Sequence, residues 1–332
     1  DGMIELKVTA IEDTDIVTKV IIGGILTNNK SLYMPGIHIN MPYLSEADKS
    51  DLLFGIEQDI DFIAASFVNC ADDLNEMRKF ILDNGAYNVD IIAKIESRSG
   101  VENIDEILEA SDGIMVARGD MGVELPFIEL PHIQKELISK CRLKGKRVIT
   151  ATEMLESMIH NPRPTRAETS DVANAVYDGT SAIMLSGETA AGKYPVEAVK
   201  TMAKIAESTE NAINYEKVFR NTNFTIKSIT DAISHAACNA AFSLNVKAIV
   251  VATQLGWSAR MISRFRTPFP IVAVTIDLRA YYQLALSWGV TPILGEVQRS
   301  SDKLFEHAVN KAKEYGFVAA GDMIVSVAAT KV

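Results

Sequence analysis

The chain has 332 residues, enough for two or three domains with separate apolar cores and too many for one small module. Hydrophobic residues make up 48% and aromatics only 7%, so aliphatic side chains must fill those cores, which favours α/β architecture. A net charge of -10 and a pI near 5.1 exclude the broad basic footprint that nucleic acid or an anionic membrane surface requires, while leaving local cations for a phosphorylated metabolite. Cys70, Cys141 and Cys238 are odd in number and far apart, which points away from a disulfide framework or zinc site and toward a reducing, cytoplasmic setting. No apolar run is long enough to span a bilayer.

In chain order, IELKVTAI and DIVTKVII read as two strands of a small β domain over residues 1–40, closed by Gly23-Gly24 and an Asn-Asn-Lys turn. Ser45 with Asp48 three residues on is a capping signature for a helix through Leu52, Leu53 and Ile56. Residues 41–212 then alternate. The strands are FIAASF (62–67), VDIIAKIE (89–96), GIMVA (113–117), RVITATE (147–153) and SAIMLS (181–186), separated by helices such as ADDLNEMRKFIL, NIDEILEA, IQKELISKCRL and TSDVANAVYDG. Nearly continuous apolar strands between amphipathic helices predict a parallel sheet covered by helices. A long helix, YPVEAVKTMAKIAESTENAI, and a polar stretch near NTNFTIKS lead into residues 213–332, a second helix and strand alternation that predicts a separate open α/β domain.

Polar residues gather at the C-terminal ends of successive strands: Ser66, then Lys94 and Glu96, then Arg118 to Asp120, then Thr152 and Glu153, then Ser186 and Glu188. That pattern predicts a (β/α) barrel, whose active site lies on that rim, although five units do not close an eight-stranded barrel. Lys94 and Glu96 are two apart on one strand and face the same side, either as a plain surface ion pair or as part of a site. Asp120 on the next strand end adds a second carboxylate, and two carboxylates beside a lysine suit Mg²⁺ with a phosphorylated substrate. Gly119 and Gly122 allow a tight turn that offers N–H groups to an anion. Arg118-Gly119-Asp120 is an adhesion tripeptide, a turn or a site; the adhesion reading needs an exposed loop in a secreted protein, against the traits above. GETAAGKY (187–194) fits a phosphate-binding loop except that Tyr194 stands where Ser or Thr must ligate Mg²⁺, so it reads as a rim loop. His38, His132, His160, His235 and His307 lack metal-ligand spacing.

IIAKIES, DGIMVARGDMGVELP, DFIAASFV and VITATEMLESMIHNPRPTRAETSDVANAVYDGTSAIMLSGETAAGKYPVEAV, in that setting, closely resemble pyruvate kinase. The likeness extends from Asp1 to near the end and is most specific over residues 91–199. It implies a (β/α)8 barrel of the TIM type, here with only the later strands, a remnant of a small β lid, and a C-terminal open α/β regulatory domain, in a homotetramer. The implied reaction is Mg-dependent phosphoryl transfer from phosphoenolpyruvate to ADP, giving pyruvate and ATP. By resemblance, Glu96 and Asp120 ligate Mg²⁺ or Mn²⁺. Lys94 stabilises the transferring phosphoryl group and the enolate oxygen. Gly119 and Asp120 hold the substrate carboxylate beside Thr152, and Ser186 belongs to the proton relay. Asp1 and Lys30 match lid positions near the nucleotide, and Thr253 and Ser258 lie in the loop that binds an effector phosphate.

The chain departs from the family pattern as well. The first three barrel strands are not in it, nor are the expected K⁺ ligands, a phosphate-contacting arginine, most of the lid and the glycine-rich segment closing the effector pocket. With no initiator Met, the sequence reads as a fragment, and an open half-barrel with two free edges argues against activity by itself. Glu153 replaces a usual Gln, SLYMPG replaces a glycine-containing hinge, and TQLGWS replaces a more basic effector loop. Two other classes compete with the kinase reading: a Mg-dependent enolate lyase or aldolase on a related barrel, and a non-catalytic ligand-binding fragment.

Overall fold

The computed structural model describes residues 4–28, 30, 32–34 and 42–328. Its strands form three sheets. β1 (Glu5–Glu12) and β2 (Asp15–Ile22) pair antiparallel around the two-residue turn Asp13-Thr14, with Asp13 at φ 48. The hairpin is exposed throughout, and Leu6, Val8, Ile11 and Ile16 stay in solvent.

The second sheet holds β3 (Phe62–Ala65), β4 (Asp90–Ile95), β5 (Gly113–Ala117), β6 (Arg147–Ala151) and β7 (Ala182–Met184), parallel and in chain order. The sequence thus yields a run of adjacent βα units of the barrel type. Alternation along each strand decides what lies where. On β4, Ile91, Ala93 and Ile95 pack into the main core with Leu74, Met77 and Ile81 of the helix Ala71–Asp83, and with Ile107 and Leu108 of Ile104–Ala110. Ile92 faces the opposite way and meets Met115 and Ala151, and this inner cluster also takes in Leu286 of the C-terminal sheet domain. Lys94 and Glu96 share the parity of Ile92 and so stand on the inner face.

Two predicted strands run longer than the observed ones for a backbone reason. Phe67 (φ 51), Thr152 (φ 67) and Glu153 (φ 54) adopt left-handed conformations that no ladder accommodates, so β3 stops at Ala65 and β6 at Ala151. The capping box at Ser45 is present, with Ser45 Oγ accepting from Asp48 N at 3.1 Å, and it starts the helix Glu46–Glu57. Of that helix's expected apolar positions, Leu52 is buried and Leu53 is exposed. The helix Tyr215–Asn221 falls in a stretch that the sequence pattern left unassigned, and its Phe219 is buried against His235, Phe242 and Phe265.

The third sheet has the order β10 (Val290–Leu294), β9 (Ile271–Thr275), β8 (Ala248–Ala252), β11 (Ile324–Ala328), all parallel, as an open α/β sheet. It closes the N-terminal end of the barrel strands. Arg147, at the start of β6, pairs with Asp90 at the start of β4 and donates to Gln283 O (3.0 Å) and Ser287 Oγ (3.2 Å). Gln283 Nε2 donates to Asp61 O and Asn88 O, and Arg279 reaches Asp59 and Ile60 O. No helix among the described residues is long and apolar enough to cross a membrane.

Two predictions follow from this packing. A Cβ at Gly113 would sit 2.7 Å from Arg147 O and 2.9 Å from Ile92 Cδ1, so Gly113→Ala forces two central strands apart. It should cost about 2 kcal/mol, read as a lower urea midpoint at constant m; an unchanged midpoint refutes this account of β5. The second concerns Asp112. Burial alone would raise its carboxyl, but the Ile91 N–H bond (2.9 Å) and the Arg78 ion pair (2.8 Å) outweigh burial and hold it below the ordinary range. A depressed folded-state pKa adds stability above the unfolded value of about 3.9 that is lost as pH falls through the folded value. Asp112→Asn should therefore lower the midpoint at neutral pH and flatten its fall below about pH 4, whereas a parallel fall in both proteins would contradict the assignment.

Candidate active site

The C-terminal rim of the second sheet gathers most of the expected residues. Glu96, one step past β4, has no exposed surface. Its Oε2 accepts from Phe67 N at 2.6 Å, so the residue that leaves the β3 ladder in a left-handed conformation spends its amide on this carboxylate. Its Oε1 lies 2.7 Å from Lys94 Nζ in an ion pair without hydrogen-bond alignment, and no other donor among the described residues reaches it. Lys94 Nζ also donates to Ser66 Oγ at 3.0 Å. A buried carboxylate with one N–H and one ammonium is electrically balanced yet keeps unused lone pairs.

Asp120 stands in the first turn of the helix Arg118–Glu124, which begins directly where β5 ends. Tyr33 donates its hydroxyl to Asp120 Oδ1 at 2.7 Å, and its ring lies 6.2 Å from that of Phe67. Burial first, then the bond to Asp120 and the charges of Asp120, Glu96 and Glu124, push the Tyr33 hydroxyl up to about 12, so it stays a donor at neutral pH. Sequence reasoning noticed the SLYMPG departure but not this contact; a tyrosine in a hinge carries no sequence signal for a distant carboxylate.

Thr152 and Gly119 meet, though with a difference from expectation. The resemblance put Gly119 N–H on a substrate carboxylate with Thr152 beside it. Instead Gly119 N donates to Thr152 Oγ1 at 2.7 Å, and that hydroxyl donates to Ala151 O at 2.6 Å. An incoming carboxylate must therefore displace the hydroxyl or use the remaining first-turn N–H groups. Arg118 holds the turn from behind: it donates to Thr152 O (2.6 Å) and Glu153 O (3.1 Å) and pairs with Asp171 at 2.6 Å. These bonds anchor two consecutive left-handed non-glycine residues, a strained arrangement that persists only when its surroundings fix it.

Ser186 follows β7 with φ -117 and ψ -99, and its buried Oγ has no hydrogen-bond partner among the described residues. Its amide donates to Glu188 Oε2 (2.8 Å), while Glu188 Oε1 takes Leu155 N (2.9 Å). Glu188 is fully buried, so GETAAGKY folds inward around a carboxylate and is a rim loop rather than a phosphate cradle. Lys30 is exposed, and Asp1 and His38 lie outside the described residues. Thr253 and Ser258 are both largely buried after β8, on either side of the turn at Gly256 (φ 77) and apart from the barrel rim. His235 and His307 have structural partners: His235 stacks on Phe219, and His307 Nε2 accepts from Glu296 N.

No cluster of three or more His, Cys, Asp or Glu side chains that could hold a metal occurs among the described residues. A hard divalent ion such as Mg²⁺ needs fewer, since one or two carboxylates suffice when water and substrate complete the shell. Glu96, with its under-used Oε1, and Asp120 fit that requirement in the chemistry of their donors.

Comparison with known proteins agrees with the resemblance. A family model described as pyruvate kinase, barrel domain, matches residues 1–199, and one described as pyruvate kinase, alpha/beta domain, matches residues 231–332. Curated relatives include the pyruvate kinase of Clostridium acetobutylicum, 50% identical over 99% of this chain and 70% of its own length. Those of Bacillus licheniformis (52% identical) and Geobacillus stearothermophilus (50% identical) match 99% and 100% of the chain. The chain spans 57% of the length of each of these two.

The rim also yields a test of its own construction. Glu188→Gln replaces an acceptor of two backbone N–H groups by an amide with one acceptor oxygen, leaving a buried donor facing a donor. Stability should fall by about 1–3 kcal/mol, seen as a lower thermal midpoint; an unaltered midpoint would mean that the two bonds do not hold the loop.

Proposed function

The chain belongs to the pyruvate kinase family, and from that premise we propose that the protein transfers the phosphoryl group of phosphoenolpyruvate to ADP, giving ATP and pyruvate. The observation that carries this reading is the placement of Lys94, the buried Glu96 carboxylate and Asp120 on one rim, with Asp120 in the first turn of the helix Arg118–Glu124. Glu96 and Asp120 would hold Mg²⁺ or Mn²⁺, which when bound neutralises charge and polarises substrate oxygens. The K⁺ requirement of the family would have to be met by ligands other than the residues described here.

Phosphoryl transfer asks a protein mainly for in-line positioning and fixed charge. Lys94, held by Ser66 and Glu96, keeps one ammonium where negative charge grows on the phosphoryl and enolate oxygens. Thr152 and the first turn from Gly119 to Asp120 orient the substrate carboxylate. The bond between the enol oxygen and phosphorus breaks as the terminal oxygen of ADP bonds to that phosphorus. The enolate carbon then takes a proton, for which Ser186 Oγ is an available end of a hydroxyl and water relay. Within this proposal residues 1–40 belong to the lid, with Asp1 and Lys30 toward the nucleotide, 41–212 to the catalytic barrel and 213–332 to the regulatory domain. Thr253 and Ser258 take an effector phosphate at the C-terminal end of β8, the kind of edge where open α/β sheets bind ligands. A homotetramer in the cytoplasm completes the reading.

The direct test is ATP formation from phosphoenolpyruvate and ADP with Mg²⁺; pyruvate released without ATP would favour lyase-like chemistry. In the full-length protein Lys94→Met should lower kcat by at least about 100-fold with phosphoenolpyruvate affinity nearly unchanged. Near-normal turnover would sink the assignment.

A further inference from the structure

Far from the rim, where the third sheet closes the barrel, five cationic side chains surround one small cavity. Lys146 and Arg147 come from the start of β6, Arg260 from the helix Trp257–Ser263, and Arg264 and Arg266 from the residues after it. The cavity is about 10 Å³, and no carboxylate lines it.

The surrounding groups do not balance this charge. Asp90 pairs with Arg147 and lies 3.9 Å from Arg260, and Asp231 lies 3.1 Å from Arg264 Nη2. Asp112 pairs with Arg78 while its charge also reaches Lys146 and Arg260, and the Glu210 charge reaches Arg266. Among the described residues only Asp90 and Asp231 lie within 4 Å of the five cations. Arg147 and Arg266 fill their donors with neutral acceptors as well: Gln283 O and Ser287 Oγ for the first, Gly179 O, Ser263 O and Ser181 Oγ for the second. Arg260 and Arg264 fill theirs less completely, with Arg264 Nη1 donating to Leu143 O at 3.2 Å. The Nε of each is buried without an acceptor among the described residues, and Arg264 Nη2 meets Asp231 without hydrogen-bond alignment. Arg264 is only 5% exposed, so bulk water does not make up the deficit. Aromatic faces supply part of the compensation, with Arg264 over Phe265 at 4.8 Å and Arg266 over Trp288 at 5.2 Å. The excess also marks the ionisation of these groups. Burial, then the Arg260 charge, holds Arg147 down to about 10, and burial, then Arg142, holds Arg266 down to about 9.

We propose that this cavity binds a monatomic anion, chloride in solution, held by Arg260 and Arg264 at the seam between the barrel and the C-terminal sheet. A buried charge without a partner is costly, and an anion there would repay several cations at once. Water accepts hydrogen bonds from two donors but returns no charge. The enclosed volume is that of about one small body, which suits a monatomic ion better than sulfate or phosphate. The site lies at the opposite end of the barrel strands from the catalytic rim; Arg260 shares the helix Trp257–Ser263 with Ser258 and stacks over Trp257 at 5.4 Å, but the cavity is lined by neither Thr253 nor Ser258.

The test uses the intact protein. Crystals soaked in bromide should show an anomalous peak beside the Nε atoms of Arg260 and Arg264. At fixed ionic strength, chloride should raise Tm over gluconate by at least about 2 °C, and Arg264→Gln should remove both the peak and the rise. If that variant does not fold, Arg260→Gln serves in its place, and the bromide experiment on the unaltered protein stands regardless. Absence of the peak overturns the proposal. A peak without a chloride-dependent Tm marks an adventitious ion only and overturns it as well, as does a rise produced by sulfate but not by chloride.

Discussion

The buried carboxylate of Glu96 constrains everything near it. A carboxylate with no exposed surface must be neutralised and hydrogen-bonded where it stands. Lys94, two residues earlier on the same strand face, supplies the charge, and Phe67 supplies the N–H. The second requirement reaches across to β3, whose chain must leave its ladder at φ 51. Strand ending, ion pair and buried carboxylate are thus one arrangement. Its incompleteness is the functional part, because Oε1 is left with an ammonium and no aligned donor, a state that suits an additional cation.

The two ends of the five-stranded sheet solve opposite problems. At the C-terminal rim, charged side chains are left partly unsatisfied and within reach of a ligand. At the N-terminal end, Arg147 and Asp90 are closed over by Gln283, Ser287 and Arg279 of the other domain, and Leu286 fills the inner apolar face. The interdomain contact is therefore built largely from guanidinium groups donating to backbone oxygens. Such contacts are directional and fix one docking geometry, but they concentrate like charge. The seam thus gathers an excess of cations, while the rim places two carboxylates, Glu96 and Asp120, beside one lysine.

Most of the architecture was legible because the apolar runs are short, nearly continuous and regularly interrupted. GIMVA coincides with β5. Where reading failed, a non-local cause is visible. RVITATE looks like one strand, yet Thr152 and Glu153 turn left-handed because Arg118 and Asp171, from other elements, anchor them there. The helix Tyr215–Asn221 is short and polar; the Asn214 cap (2.9 Å to Lys217 N) starts it and the tertiary burial of Phe219 holds it in place. The placement of Lys94, Glu96 and Asp120 at neighbouring strand ends could be read from the sequence. Tyr33 and the Gly119 to Thr152 bond were not, since each joins residues more than thirty apart through geometry that no local pattern encodes.

The order of Arg118, Gly119 and Asp120 has a physical logic of its own. On a helix, residues two apart point about 200° away from each other. A cation and a carboxylate at that spacing do not neutralise one another as they would three or four apart. Arg118 is thereby sent to the back of the turn, against Thr152 O, Glu153 O and Asp171, while Asp120 faces Tyr33 on the rim. Gly119 between them brings its N–H to Thr152, and a Cβ there would lie only 3.4 Å from that hydroxyl oxygen. One residue anchors, one permits close approach and one presents a charge. A strand running on through Asp120 would place Arg118 and Asp120 on the same face, where they would pair; the turn into helix at Arg118 keeps them apart.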